Sequence, residues 1–331
     1  MKIAFFDTHS YEKKAFETAN KKFEHQITYF DFKLNENTVS SCNGFKAVCV
    51  FVNDTINAKV LQSLKDLNIN LVILRCAGYN NVDLDAAQKL DISIIRVPQY
   101  SPEAVAEFAT ALLLSLTRKI PQAYIRTKSA NFTLDGLEGR TLFGLQAGII
   151  GTGKIGRRMA KILSGFGMKI NCFDIYPDVK WADSIGATYV PLKQLLSDSD
   201  VISLHCPLNN STKHLINKIS MSYIKPSAVL VNTSRGALIE TDALIESLKK
   251  KKIGGAALDV YEEEKNYFFN DWSKDIISDE NLIRLMTFPN VLITSHQGFL
   301  TTEALSEIAV SCLRNAKNYE EMKTLDNVVF E

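Results

Sequence analysis

The sequence predicts an α/β protein built as two doubly wound parallel-sheet domains, one inserted into the other. Three observations carry this. The chain has 331 residues, longer than single cores usually grow, so two cores are expected. Short β-branched or aromatic runs alternate with amphipathic stretches, which is the pattern of parallel α/β structure. These runs fall into two series, separated by an apolar segment of helix length.

In the first series KIAFF, QITYFDF, AVCVFV, LVILRCA and ISIIRV read as strands, with helices expected near residues 11–22 and 57–67. The second series runs AGIIG, KINCFD, TYVP, VISLHC, AVLVNTS, GGAALDV and VLITSH. Between them, residues 102–116 form an apolar helix pattern with Ser101 as its N-cap and Pro102 at the first helical position. After His296 one last helical pattern, residues 302–319, precedes a tail. A helix bridging two sheets and a return helix at the end predict a discontinuous first domain, 1–100 with 299–331, and a second domain, 101–298. The lysines at 249–252 suit a solvated helix C-terminus.

Composition narrows the partners. Hydrophobic residues at 46% and charged residues at 23% exclude a disordered or fibrous chain. With 38 basic against 37 acidic residues the net charge is +1, which argues against nucleic acid or an anionic membrane and for a small ligand. The six cysteines include no CxxC pair and no cluster with histidine, so they read as reduced thiols with no metal site. The N-terminal apolar run is too short for a signal segment, and residues 104–116 contain Glu107 and fall short of a membrane span. A cytoplasmic protein is expected. The apolar face of 102–116 is expected to be exposed and covered by a second subunit, making at least a homodimer.

Gly151-Thr152-Gly153-Lys154-Ile155-Gly156 follows the strand AGII and opens a helix, the context that the G-x-G-x-x-G fingerprint requires. Gly151 permits the tight turn, Gly153 the approach of a pyrophosphate, and Gly156 close helix–sheet packing. The next strand ends at Asp174, placed to accept hydrogen bonds from ribose hydroxyls and to repel a 2′-phosphate, so NAD is expected over NADP. A ligand-free glycine turn is the bland alternative. An FAD fingerprint is another, but it usually stands at the extreme N-terminus.

Three later strands end in polar residues: VLVNTSRG places Arg235, AALDVYEEE places Asp259 and Glu264, and LITSHQG places His296. Strand C-terminal ends of an open parallel sheet converge on the ligand crevice. Reduction of a 2-oxo acid needs a cation for the carboxylate and carbonyl, which Arg235 supplies, and a proton donor for the developing alkoxide, which His296 supplies. A carboxylate beside His296 would favour its protonated form, and Glu264 is the candidate. Singly each has an ordinary reading: a surface arginine, a solvated Glu262-Glu263-Glu264 face, a histidine at a domain hinge. Their joint occurrence carries the assignment.

GTGKIG, Asp174, NTSRG, ALDVYEEE and SHQGFLTTEAL, in that order, resemble the D-2-hydroxyacid dehydrogenases. The likeness covers nearly the whole chain, including RCAGYNNVD at 75–83 and RVPQYSPEAVAEFA at 96–109, which look like that family's substrate loop and interdomain helix. It implies a Rossmann NAD-binding domain inserted into a flavodoxin-like substrate domain, with His296 as proton donor oriented by Glu264, and Arg235 binding substrate. It also implies that Asp259 holds the nicotinamide carboxamide, while Cys206, Pro207, Thr212, Thr233 and Ser234 line the nicotinamide side. The stretch after Glu264 resembles the lactate branch. Tyr100 and the backbone N–H groups of Ala77 and Gly78 would then meet the substrate carboxylate, and Phe299 would limit room beyond C3, favouring pyruvate. A sibling acting on another 2-oxo acid and an NAD-sensing regulator on the same fold are the rival readings. His205 reads as structural, and Cys76 is assigned no chemistry.

Overall fold

The computed structural model describes residues 1–97 and 101–329, and the chain divides into two compact units, Met1–Ser101 with Phe299–Glu331, and Pro102–Gly298. In the first unit β1 (Lys2–Phe5), α1 (Ser10–Asn20), β2 (Gln26–Tyr29), β3 (Ala47–Val50), α2 (Ala58–Asp66), β4 (Leu71–Leu74), α3 (Leu84–Lys89) and β5 (Ser93–Arg96) follow in turn. The strands form one parallel sheet ordered β2-β1-β3-β4-β5. This is the flavodoxin-like order, which reverses between β1 and β3. β3 and β4 are buried at every position, which is why AVCV and LVIL read as unbroken apolar runs rather than alternating ones.

The loops at the C-terminal ends of β1, β3 and β4 are tied together by a buried cation. Arg75 donates from Nε to Glu12 Oε1 at 2.8 Å and from one terminal nitrogen to Asp7 O at 2.8 Å, and its guanidinium lies 4.4 Å from the Phe5 ring centroid and 5.0 Å from that of Phe51. Nearby, Asp54 accepts from the amides of Leu34 and Phe51. Burial pushes its carboxyl up to about 6.

The second unit contains α4 (Pro102–Thr117), α5 (Ile120–Lys128), β6 (Gln146–Ile150), α6 (Lys154–Gly165), β7 (Lys169–Phe173), α7 (Val179–Ser184), β8 (Ala187–Tyr189), α8 (Leu192–Asp198), β9 (Val201–Leu204), α9 (Lys218–Met221), β10 (Val229–Asn232), α10 (Thr241–Lys249), β11 (Gly255–Leu258), α11 (Glu280–Thr287) and β12 (Val291–Ile293). Its seven parallel strands are ordered β12-β11-β10-β9-β6-β7-β8, so strand order reverses between β6 and β9. Numbered from β6, this is the Rossmann order with a seventh strand beyond the usual six. The last helix, α12 (Thr302–Glu320), returns to the first unit and packs on α1 and β4. Among the described residues no helix is long and apolar enough to cross a membrane.

Four features differ from the sequence reading. The apolar side of α4 is not bare: Val105, Leu112 and Leu113 are buried, Phe108, Leu114 and Leu116 half-buried, and only Glu103, Glu107 and Ala111 are exposed. The helix is apolar nearly all round because α6 packs against it along with β10, β11 and β12 of its own unit. Ser101 has φ of +31°, outside the extended conformation usual for an N-cap. The short helices α3 and α5 carry no buried apolar face for a sequence pattern to show, since α3 buries only Ala87 and α5 buries nothing. The expected tail also does work in the fold, as Val328 bridges antiparallel to Ile95 and covers the otherwise open edge of β5.

Candidate active site

The glycine turn sits where strand order reverses in the second sheet. Gly151 has φ of +91°, and a Cβ there would stand 2.5 Å from the Cys206 amide nitrogen, so only glycine lets the ends of β6 and β9 meet this closely. A Cβ on Gly156 would stand 1.9 Å from Gly151 O, which seats the first turn of α6 directly on the loop. Gly153 is different: its φ is −66° and nothing lies within 4 Å of its Cβ position. Neither strain nor crowding within the chain requires glycine there. The open space lies at a helix N-terminus, whose unpaired amides and dipole suit a pyrophosphate, so these residues fit a dinucleotide. Thr152 is buried in the turn, while Lys154 is exposed and Ile155 half-buried at the start of α6.

Asp174 follows β7. Its Oδ2 accepts from Thr152 N at 2.6 Å and Thr152 Oγ1 at 2.9 Å, and its Oδ1 accepts from Tyr176 N at 3.0 Å. Burial works against its charge, but these donors outweigh it and hold the carboxyl below the usual range. A carboxylate offers about four lone-pair sites, so acceptor capacity remains for a ribose hydroxyl.

Beyond β9, Ser234 Oγ donates to Cys206 O at 2.8 Å, and Thr212 Oγ1 donates to Pro207 O at 2.6 Å, closing the 207–212 turn. Burial pushes the Cys206 thiol up to about 11. Thr233 Oγ1, just past β10, is buried with no hydrogen-bond partner among the described residues. A buried hydroxyl in this state has donor and acceptor capacity left for a bound group. His205 is bonded to Ser203 Oγ at 2.8 Å and burial lowers it to about 4, so it is a neutral, structural histidine.

Arg235, Glu264 and His296 all lie in loops at strand C-terminal ends of this unit. His296 Nδ1 is 2.8 Å from Glu264 Oε1, with the two side chains 18% and 21% exposed, so the pair is partly desolvated yet reachable. Among the described residues His296 Nε2 makes no hydrogen bond, leaving that nitrogen for a ligand. Glu264 is fixed in turn, its Oε2 accepting from Tyr261 N at 3.0 Å. Arg235 is half-buried, with one terminal nitrogen donating to Ser234 O at 2.7 Å and its carbonyl accepting from Asn232.

Asp259 has a structural task that the sequence did not reveal. The residue is 1% exposed, and its carboxylate accepts from Thr294 Oγ1 at 2.6 Å, Gln297 N at 2.9 Å and Gly298 N at 2.7 Å, which wraps the 294–298 loop around it. His296 N also donates to Asp259 O at 2.7 Å, and His296 has φ of +55°. His296 is thus held in a left-handed conformation by the aspartate beneath it. Burial pushes the Asp259 carboxyl up, with the three donors opposing.

In the first unit Ala77 and Gly78 follow β4. Arg96 donates to Ala77 O at 2.8 Å and Cys76 Sγ to Gly78 O at 3.2 Å, while the amides of Ala77 and Gly78 donate to nothing among the described residues. Phe299 is buried, its ring centroid 6.3 Å from that of Phe51, a neighbour that sequence reasoning missed. Tyr100 lies outside the described residues.

A parallel sheet of this order, with its glycine turn at the reversal and a carboxylate at the end of the next strand, defines a dinucleotide-binding α/β protein. Residues 110–298 match the family described as D-isomer specific 2-hydroxyacid dehydrogenase, NAD binding domain. The D-lactate dehydrogenase of Escherichia coli (strain K12) is 49% identical over 327 residues, 99% of each chain. The apo-structure of D-lactate dehydrogenase from Escherichia coli superposes with a TM-score of 0.92 at 46% identity, covering 99% of this chain and 100% of that one. The pyruvate reductase of Chlamydomonas reinhardtii gives a TM-score of 0.93 at 38% identity, covering 99% and 98%. The chain belongs to the D-isomer specific 2-hydroxyacid dehydrogenase family and is an NAD-dependent oxidoreductase.

Proposed function

We propose that the chain interconverts pyruvate and D-lactate, with reduction of pyruvate as the fermentative direction. The observation that carries this is the His296–Glu264 pair, open at Nε2, in the same unit as Arg235 and the glycine turn. The 49% identity to a D-lactate dehydrogenase over the whole chain supports the choice of oxo acid. Bound NADH supplies the hydride that the C2 carbon of pyruvate accepts. Arg235 binds the carboxylate and polarises the carbonyl through donors not taken by Ser234 O. His296 passes the Nε2 proton to the substrate oxygen, and Glu264 holds the ring through Nδ1 and balances its charge. Ala77 and Gly78, whose amides bond nothing among the described residues, are assigned to the carboxylate by resemblance, as is Tyr100. Phe299, backed by Phe51, limits the room beyond C3.

On the cofactor side Gly151, Gly153 and Gly156, with Thr152, Lys154 and Ile155, would hold the pyrophosphate, and Asp174 the adenosine ribose. Cys206, Pro207, Thr212, Thr233, Ser234 and Asp259 would line the nicotinamide end. Asp174→Asn is expected to lower the NADH/NADPH ratio of kcat/KM by about 10²-fold, because a like charge facing a 2′-phosphate costs several kcal/mol. An unchanged ratio in parallel assays with the two cofactors would place the discrimination elsewhere.

We further propose a cytoplasmic homodimer or larger assembly, joined not by α4 but by the segment after it. Ile120, Tyr124, Ile125, Phe132, Leu134 and Phe143, all within residues 120–143, are each more than half exposed, a density of bare apolar side chains unusual in one segment of a monomer. Sedimentation should give a species of at least twice the 37.0 kDa chain mass.

The reading is tested by initial rates of NADH loss with pyruvate, 2-oxoisocaproate, glyoxylate and hydroxypyruvate, together with the enantiomer formed. Fast turnover of pyruvate to D-lactate supports it. Preference for a larger oxo acid would retain the family chemistry and remove pyruvate, and NADH binding without turnover would leave an NAD-sensing regulator.

A further inference from the structure

The second unit holds another histidine–carboxylate pair besides His296–Glu264. His214 Nε2 is 2.5 Å from Glu262 Oε1, and Glu262 Oε2 accepts from Thr241 N at 3.1 Å and Thr241 Oγ1 at 2.8 Å. Burial works against the charge on Glu262, but His214 and Thr241 outweigh it and hold the carboxyl below its usual range. The glutamate is 20% exposed, so the run Glu262-Glu263-Glu264 is not a uniformly solvated face. His214 has φ of +52°, a conformation that a non-glycine residue keeps only where its surroundings over-determine it.

What surrounds this pair is the substrate-binding turn. Gly236, adjacent to Arg235, lies so tightly on the next loop that a Cβ there would stand 2.0 Å from Tyr261 C and 2.4 Å from Glu262 N. His214 N donates to Ala237 O at 2.8 Å on the other side of the same turn. Tyr261 serves both functional groups, since its carbonyl carbon abuts Gly236 while its amide donates to Glu264 Oε2 at 3.0 Å. Any shift of the 261–262 peptide therefore moves the turn of Arg235 and the anchor of Glu264 together.

We propose that His214 and Glu262 are positioning residues, a clamp that sets the Arg235 turn against the Glu264 loop for substrate binding. This rests on the oxo-acid reductase reading above. Neither residue touches the reacting atoms. Glu262, with both oxygens bound, fixes the peptide on which Gly236 rests, and the His214 ring, held on Glu262 Oε1, sets where the His214 amide meets Ala237 O.

The test measures kcat, KM for pyruvate, KM for NADH and Tm in Glu262→Ala, His214→Ala, their double variant and Glu262→Gln. Each alanine variant is expected to lose about 10- to 100-fold in kcat/KM, the effect of displacing a binding group by about an ångström, mostly through KM for pyruvate and with KM for NADH unchanged. The double variant should be no worse than the weaker single, as for two halves of one device. Glu262→Gln keeps an acceptor for Thr241 and its size, and should retain more activity than Glu262→Ala. Losses that multiply in the double variant, or a fall in Tm with kcat/KM unaltered, would overturn the clamp and leave Glu262 as a plain support for α10. If the unmodified enzyme turns over no 2-oxo acid, it is the function reading that fails. If it prefers another oxo acid, the same variants are read with that substrate.

Discussion

Replacing His296 with alanine is expected to lower kcat for pyruvate by about 10²- to 10⁴-fold, the usual range for loss of a positioned general acid. NADH affinity should stay near that of the parent enzyme, since the glycine turn and Asp174 belong to loops after β6 and β7, whereas His296 follows β12. Stability should change little, because the imidazole is partly exposed and its one hydrogen bond among the described residues is to Glu264. The loss should fall on kcat and kcat/KM together, as for an interaction made mainly in the transition state. Stopped-flow NADH binding alongside steady-state rates checks this. Full activity in the alanine variant would remove His296 as the acid.

Arg235→Lys is expected to be nearly as damaging. Lysine keeps the charge but not the planar fork, and here one terminal nitrogen of Arg235 is already engaged by Ser234 O at 2.7 Å. The remaining donors can then face a carboxylate in a fixed plane, which a single ammonium cannot reproduce while also holding Ser234. Breaking a desolvated charged contact costs about 2–5 kcal/mol, so kcat/KM should fall by about one and a half to three and a half decades. Unlike His296→Ala, this variant should raise KM for pyruvate strongly, since in the proposed role the arginine binds the ground-state carboxylate as well. A KM within error of the parent value would mean that another group binds the carboxylate.

Much of the fold was legible because both sheets are parallel and covered on both faces. Their strands read as apolar runs such as VISL and AVCV, and in the second sheet several end close to a polar residue, as VISL does at His205. The candidate site was legible for the same reason, as Arg235, Glu264 and His296 each follow such a run. What could not be read was whatever depends on covering surfaces or on long-range pairing. The apolar stripe of α4 gives the same pattern whether α6 of its own unit or a second subunit covers it. His214 and Glu262 stand 48 residues apart, and nothing in three consecutive glutamates tells that the first and third turn inward and the second does not. Asp259 read as a cofactor contact because its place matches one, while the amides of Gln297 and Gly298 that fill its carboxylate are visible only once the chain has folded.

The return of α12 to the first unit ties the two chain ends to each other. The Met1 ammonium is 2.9 Å from Glu320 Oε1 and 3.1 Å from His25 Nδ1, and His25 Nε2 is bonded to Leu313 O. During synthesis β1 to β5 leave the ribosome with no partner for the face that α12 will cover, while residues 102–298 can complete their own core first. A folded insert brings its two ends to fixed points, so the closure that α12 must make is far shorter than the roughly 300 residues of chain between β1 and α12 imply, and its entropic cost falls accordingly. The split unit is therefore expected to close last, when α12 docks on α1 and β4.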